Sequence, residues 1–218
     1  MGKILMFNYS KEALMVEPEN VKYVEQFNYA TDLVTHWYNI HYNKAIKTVT
    51  ENRIEKLNHI YNHEKTPLLL SGHGLELAFG FGESIYVLMR WYRDVTMDAF
   101  DFNPLFAKII PLLKELNGSR LQDVWVGDAQ NIPKPDNHYD FINSCSFFEH
   151  LPEDVYWNVI RECYRILKPG ALLGVYLDEG QNGGEHIRCV PVSQTQKEVE
   201  SIGFITLNSY LFQKPFIK

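Results

Sequence analysis

From residue 75 onward, short apolar runs alternate with amphipathic stretches. The runs at 75–80, 94–100, 122–127, 138–144, 171–178 and 204–212 predict strands, and apolar spacings of three and four at 83–93, 104–116, 153–167 and 192–202 predict helices between them. Strand and helix taking turns predicts βαβ units, hence a Rossmann-like α/β fold with a mostly parallel sheet and helices on both faces. Proline and glycine punctuate at the expected places: Pro104 after Asn103, Gly118 at a helix end, Pro152 at a helix start and "KPG" at 168–170. The segment after Gly203 is short, so its last two strands are expected to be brief or one of them missing.

Residues 20–63 read differently. They hold no glycine and carry aromatic residues spaced by three and four, which predicts two helices, roughly 20–43 and 44–62. Residues 1–63 are therefore expected to be an N-terminal helical segment packed on, or covering, a main domain at 64–218. Tyr29, Trp37 and Tyr38 are the rings best suited to close over a cationic ligand.

Composition narrows the class. With 27 acids against 21 bases the net charge is -6, and no Lys/Arg-rich run appears, so nucleic acid is an unfavoured partner. No apolar run approaches the roughly 20 residues of a membrane span, and the start lacks a secretory signal pattern. The three cysteines form no CxxC pair, which fits reduced thiols in a cytoplasmic protein. None of the usual metal-ligand spacings is present.

The chemistry gathers around "LELAFGFGES" at 75–84. Glycines at Gly80 and Gly82 suit a turn where backbone meets a ligand closely. Ile85 stands where a dinucleotide fingerprint needs its third glycine, and no GK[ST] follows for a P-loop. Glu76, Ala78, Gly80 and Gly82 instead resemble the acid-x-Gly-x-Gly-x-Gly motif of class I S-adenosylmethionine-dependent methyltransferases. Ala78 takes the first glycine's place, which an alanine fills without strain if φ is negative.

Four further stretches are similar to that family in order: "VTMDAFDFNP", "VGDAQNIPKPDNHYDFI", "NSCSFFEHLPED" and "RECYRILKPGALLGVYL". The resemblance implies a site for S-adenosylmethionine, released as S-adenosylhomocysteine. Glu76, Ala78, Phe79, Gly80 and Gly82 would form the first turn. Asp101 would accept from the ribose hydroxyls, with Phe102 beside the adenine and Asp98 as the competing acid. Asp128 would face the adenine amino group with Ala129 against the ring, and Asn143, Ser144 and Cys145 would line the methionine side.

A methyl on a sulfonium is already activated, so the protein's main contribution is to hold an acceptor in line and dry. A base is needed only where the acceptor loses a proton. His150 is the first candidate for that base, His186 the second, with Glu149 also able to serve. Arg188 could pair with an acidic acceptor. The expected function is methyl transfer to an O or N atom of a small molecule; the alternative is a cofactor-binding protein of the same fold with no catalytic role.

Overall fold

The computed structural model describes residues 53–61, 68–177 and 186–216. The predicted helix at 20–43, with Tyr29, Trp37 and Tyr38, lies outside the described residues. The predicted helix at 44–62 is described over 53–61, here α1.

Seven strands form one sheet: β1 (Gly72–Leu77), β2 (Val95–Asp101), β3 (Leu121–Val126), β4 (Tyr139–Cys145), β5 (Leu167–Tyr176), β6 (Ile205–Asn208) and β7 (Leu211–Gln213). Their order is β3-β2-β1-β4-β5-β7-β6. The first five run parallel, while β7 pairs antiparallel with both β5 and β6. The chain winds outward from β1 to β3 and then returns to place β4 on β1's other side. That reversal creates a crevice beyond the carboxyl ends of β1 and β4, where ligands of such sheets collect.

Helices cover both faces. On one, α1, α2 (Glu83–Trp91) and α3 (Ile110–Asn117) bring Leu57, Ile60, Ile85, Leu88 and Leu113 against Met97, Ala99 and Phe141. On the other, α4 (Glu153–Ile166) and α5 (Val192–Ile202) bring Tyr156, Val159, Ile160, Cys163 and Val199 against Leu75, Leu77, Ile142 and Leu173. A parallel sheet must bury both faces, which is why its strands read as continuous apolar runs.

Several boundaries depart from the sequence pattern: β5 begins at Leu167, so "KPG" at 168–170 lies inside the strand, and the stretch from Pro104 to Ile109 is a 3-10 turn ahead of α3. The first strand stops at Leu77, because Ala78 turns the chain with φ 58. The single run at 204–212 is two short strands joined by a turn, so neither final strand is missing. Periodicity could not separate them, since a tight reversal interrupts the apolar pattern by only two residues.

Candidate active site at the carboxyl edge of the sheet

The turn after β1 is built from left-handed backbone. Ala78, Gly80 and Gly82 have φ of 58, 50 and 79. The alanine therefore adopts the conformation that a glycine would hold without cost, so the condition of a negative φ is not met. The strain is of order 1 kcal/mol. Among the described residues three non-glycines have positive φ, and two of them, Ala78 and Ser146, end β1 and follow β4 at this same edge. Strained backbone concentrates where a ligand's needs override local preference.

The two glycines have different jobs. Among the described residues, a Cβ on Gly80 would meet nothing within 4 Å, so the backbone there is bare toward them. A Cβ on Gly82 would run into the Leu113 side chain of α3. Gly80 fits close approach of a ligand, while Gly82 lets α2 and α3 pack. Phe79 is buried in that packing, its ring 6.1 Å from Phe106.

Asp101 closes β2 beside this turn. Its Oδ2 accepts from the Gly80 amide at 2.9 Å and its Oδ1 from the Asn103 amide at 2.9 Å. The Phe102 amide also bonds this carboxylate. A carboxylate accepts about four hydrogen bonds, so about one position remains. Burial pushes its pKa up to about 6, against the pull of those amides. Asp98, the competing acid, accepts from Tyr139 Oη at 2.8 Å and the Asp123 amide at 3.0 Å, and pairs with Lys134 at 2.8 Å. Those contacts make it a structural ion, held well below the usual carboxylate range despite its burial, by His73, Lys134 and the other donors.

Phe102 is half-buried next to Asp101. Asp128, exposed beyond β3, accepts from the Gln130 amide at 2.9 Å, and Ala129 behind it is buried. These residues form a shelf at the ends of β2 and β3.

Glu76 and Asn143 are partners across the β1–β4 ladder. Asn143 Nδ2 donates to Glu76 Oε2 at 2.7 Å, and Tyr61 Oη donates to Asn143 Oδ1 at 2.9 Å. Burial lifts the Glu76 carboxyl to about 8, opposed by Asn143 and Arg53. Asn143 and Cys145 share Glu76's face of the sheet, whereas Ser144 alternates to the face carrying Ile142. The structure thus separates Ser144's side chain from the other two, although its backbone stays at the edge.

Sequence patterning alone missed α1's polar side. Arg53 Nη1 donates to the Cys145 carbonyl at 3.1 Å and its Nη2 pairs with Glu83 at 3.3 Å. Lys56 Nζ donates to Ser146 Oγ at 2.7 Å. Arg53 and Lys56, three apart, share a helix face beside the apolar Leu57 and Ile60, a spacing visible in the sequence. Which end of the sheet they reach was not visible, because that depends on how α1 docks. Gly174 permits the docking: a Cβ there would press on Tyr61 Oη at 2.6 Å and Ile60 at 2.8 Å.

The three residues expected to handle the acceptor converge. Glu149 and His150 lie in the turn Phe148–His150 after β4, and Glu149 is fully buried. Glu149's carbonyl accepts from the amides of Ile187 and Arg188, both at 3.0 Å, which pins the segment carrying His186. The rings of His150 and His186 sit 4.8 Å apart, edge to face.

Arg188 departs from its expected role. Its guanidinium is buried, pairs with Glu153 at 3.1 Å and Glu198 at 2.7 Å, and stacks 3.7 Å over Tyr156. The protein's own carboxylates already neutralise it, so it ties the 186–190 segment to α4 and α5. Spacing alone could not show that two acids from two helices surround it.

Comparison with known proteins follows the same lines. Residues 75–175 match a family described as methyltransferase domain. No protein with a curated description matches the sequence. Among solved structures, a candidate sarcosine dimethylglycine methyltransferase from Galdieria sulphuraria is 22% identical, with a TM-score of 0.57 over 74% of this chain and 63% of its own. The [4+2]-cyclase SpnF is 20% identical, with a TM-score of 0.59 over 73% of this chain and 58% of its own. Haemonchus contortus phosphoethanolamine N-methyltransferase 2, in complex with S-adenosyl-L-methionine, is 15% identical, with a TM-score of 0.57 over 71% of this chain and 37% of its own. This chain thus spans less than two thirds of each of these three proteins. At such identities the likeness carries the fold, and the sequence match carries the family. Residues 75–175 match the methyltransferase domain family, and the motif turn, the strand order and the acid at the end of β2 resemble those of the class I S-adenosylmethionine-dependent methyltransferases.

Proposed function

We propose that this protein transfers a methyl group from S-adenosylmethionine to an O or N atom of a small molecule. The observation that carries the reading is the coupling of bare backbone at Gly80 to a buried acid, Asp101, at the switch point of the sheet. When bound, S-adenosylmethionine supplies an activated methyl on a sulfonium. Asp101 keeps about one acceptor position for a ribose hydroxyl, and Asp128 and Ala129 offer an acceptor and a small apolar surface to an adenine. Arg53 and Lys56 bring positive charge to the same edge, which suits a carboxylate tail. Glu149, His150 and His186 form the group that handles the acceptor.

A second reading, a cofactor-binding protein without methyl transfer, draws support from one neighbour. SpnF carries this fold and is named a cyclase, so the architecture does not fix the reaction. Calorimetry with S-adenosylmethionine and S-adenosylhomocysteine, followed by a turnover screen across amines, phenols, carboxylates and thiols, separates the two. Tight cofactor binding with turnover on one acceptor class supports the enzyme. Tight binding and silence across every class would favour the second reading, and no binding of either compound would sink both.

A further inference from the structure

Among the described residues, two groups place three metal-ligating side chains together: His73, Asp98 and His138, and Glu149, His150 and His186. The first lies far from the site, and Lys134 Nζ already sits 2.8 Å from Asp98 Oδ2, where an ion would have to bind. An ammonium in that position repels a second cation. The other group has the opposite setting. It lies just past β4, one ligand atom from each residue falls within 4.8 Å of the others, and the segment bearing His186 is fastened to Glu149's carbonyl.

We propose that Glu149, His150 and His186 bind a first-row divalent metal ion, with Zn²⁺ or Mn²⁺ the fitting class. Two imidazoles and one carboxylate suit such an ion and leave coordination positions open for water or an oxygen of the acceptor. Ligands held about 2.0–2.2 Å from a metal lie roughly 3–4 Å apart, so closure asks for side-chain shifts of about an ångström. Beside the methyl-transfer edge, the ion would bind an oxygen-bearing acceptor and ease loss of its proton. That role rests on the methyltransferase reading, while the metal site itself stands apart from it.

The test uses the full chain, stripped with a chelator and titrated with Zn²⁺ by calorimetry and with Co²⁺ by visible absorption. One ion per chain, with Co²⁺ ligand-field bands, is expected. His150→Ala and His186→Ala should each weaken binding at least roughly tenfold, while His138→Ala leaves it unchanged. Glu149→Gln is isosteric and should act like the histidine variants; if it fails to fold, the two half-exposed histidines carry the test. No binding up to about 1 mM, or binding that survives both histidine variants, overturns the proposal. S-Adenosylhomocysteine titrated into the same samples keeps the readings distinct. Cofactor binding without metal binding removes only the metal site, and metal binding without cofactor binding removes only the methyltransferase.

Discussion

Gly80 donates its amide to Asp101 Oδ2 over 2.9 Å, so the turn after β1 and the end of β2 form one unit. The same carboxylate holds the Asn103 amide with its other oxygen. Asp101 therefore shapes the turn besides facing the proposed ribose.

Asp101→Asn should weaken S-adenosylhomocysteine binding by at least tenfold, because an amide offers one acceptor oxygen where the carboxylate offers two. Stability near neutral pH should fall by less than the lost amide bond alone implies, because the variant also removes a buried charge that the fold penalises. Calorimetry and urea unfolding read the two effects separately. Unchanged affinity in a folded variant would take the ribose role away from Asp101.

Gly80→Ala and Gly82→Ala should fail in different ways. Both place a side chain at positive φ, at about 1 kcal/mol each. Only Gly82 adds a collision with Leu113, so its variant should lose about 2–4 kcal/mol of stability. The Gly80 variant should keep most of its stability and lose cofactor affinity instead. The reverse change, Ala78→Gly, should raise stability by roughly 0.5–1 kcal/mol. Thermal unfolding of the three variants checks the ranking, and equal losses at Gly80 and Gly82 would refute the division of labour.

Glu76 should make the protein less stable as pH rises. Its folded carboxyl titrates at about 8, above the ordinary 4.5 it regains on unfolding. The unfolded chain thus releases its proton first. Glu76's contribution is complete below about pH 4.5 and is lost as pH climbs to about 8. Asp101, raised from 3.8 to about 6, acts in the same direction over a lower window. Glu76→Gln keeps an acceptor for Asn143 but does not ionise, so it should flatten the decline between pH 5 and 8 by roughly 2–4 kcal/mol. Chemical unfolding at a series of pH values decides it; a variant as steep as the parent would show that Glu76 is ionised throughout.

Arg188→Ala should act on stability rather than on acceptor use. It leaves the mostly buried Glu198 without its ion pair, at about 2 kcal/mol or more, although the exposed Glu153 contributes little. A rise in KM for the acceptor with stability intact would restore the substrate role that its position in the sequence first suggested.

The sequence by itself determined the alternation of strands and helices, the site of the first turn and the order of the family's motifs. Those features are local: strand and helix periods, proline and glycine at fixed offsets, an acid before a glycine pair. It also named Glu149, His150 and His186 as separate candidates. Only the tertiary structure gathered those three, tied Arg188 to Glu153 and Glu198, set Asp98 apart as a structural ion and brought Arg53 and Lys56 over the end of β4. Each of these depends on how elements distant in the chain dock against one another, and that is decided by burial of both sheet faces rather than by any nearby residue. The turn itself shows the division plainly. Its letters predicted where the chain reverses, and the fold decided that Ala78 must bend left-handed, that Gly80 lies bare and that Gly82 is closed by Leu113.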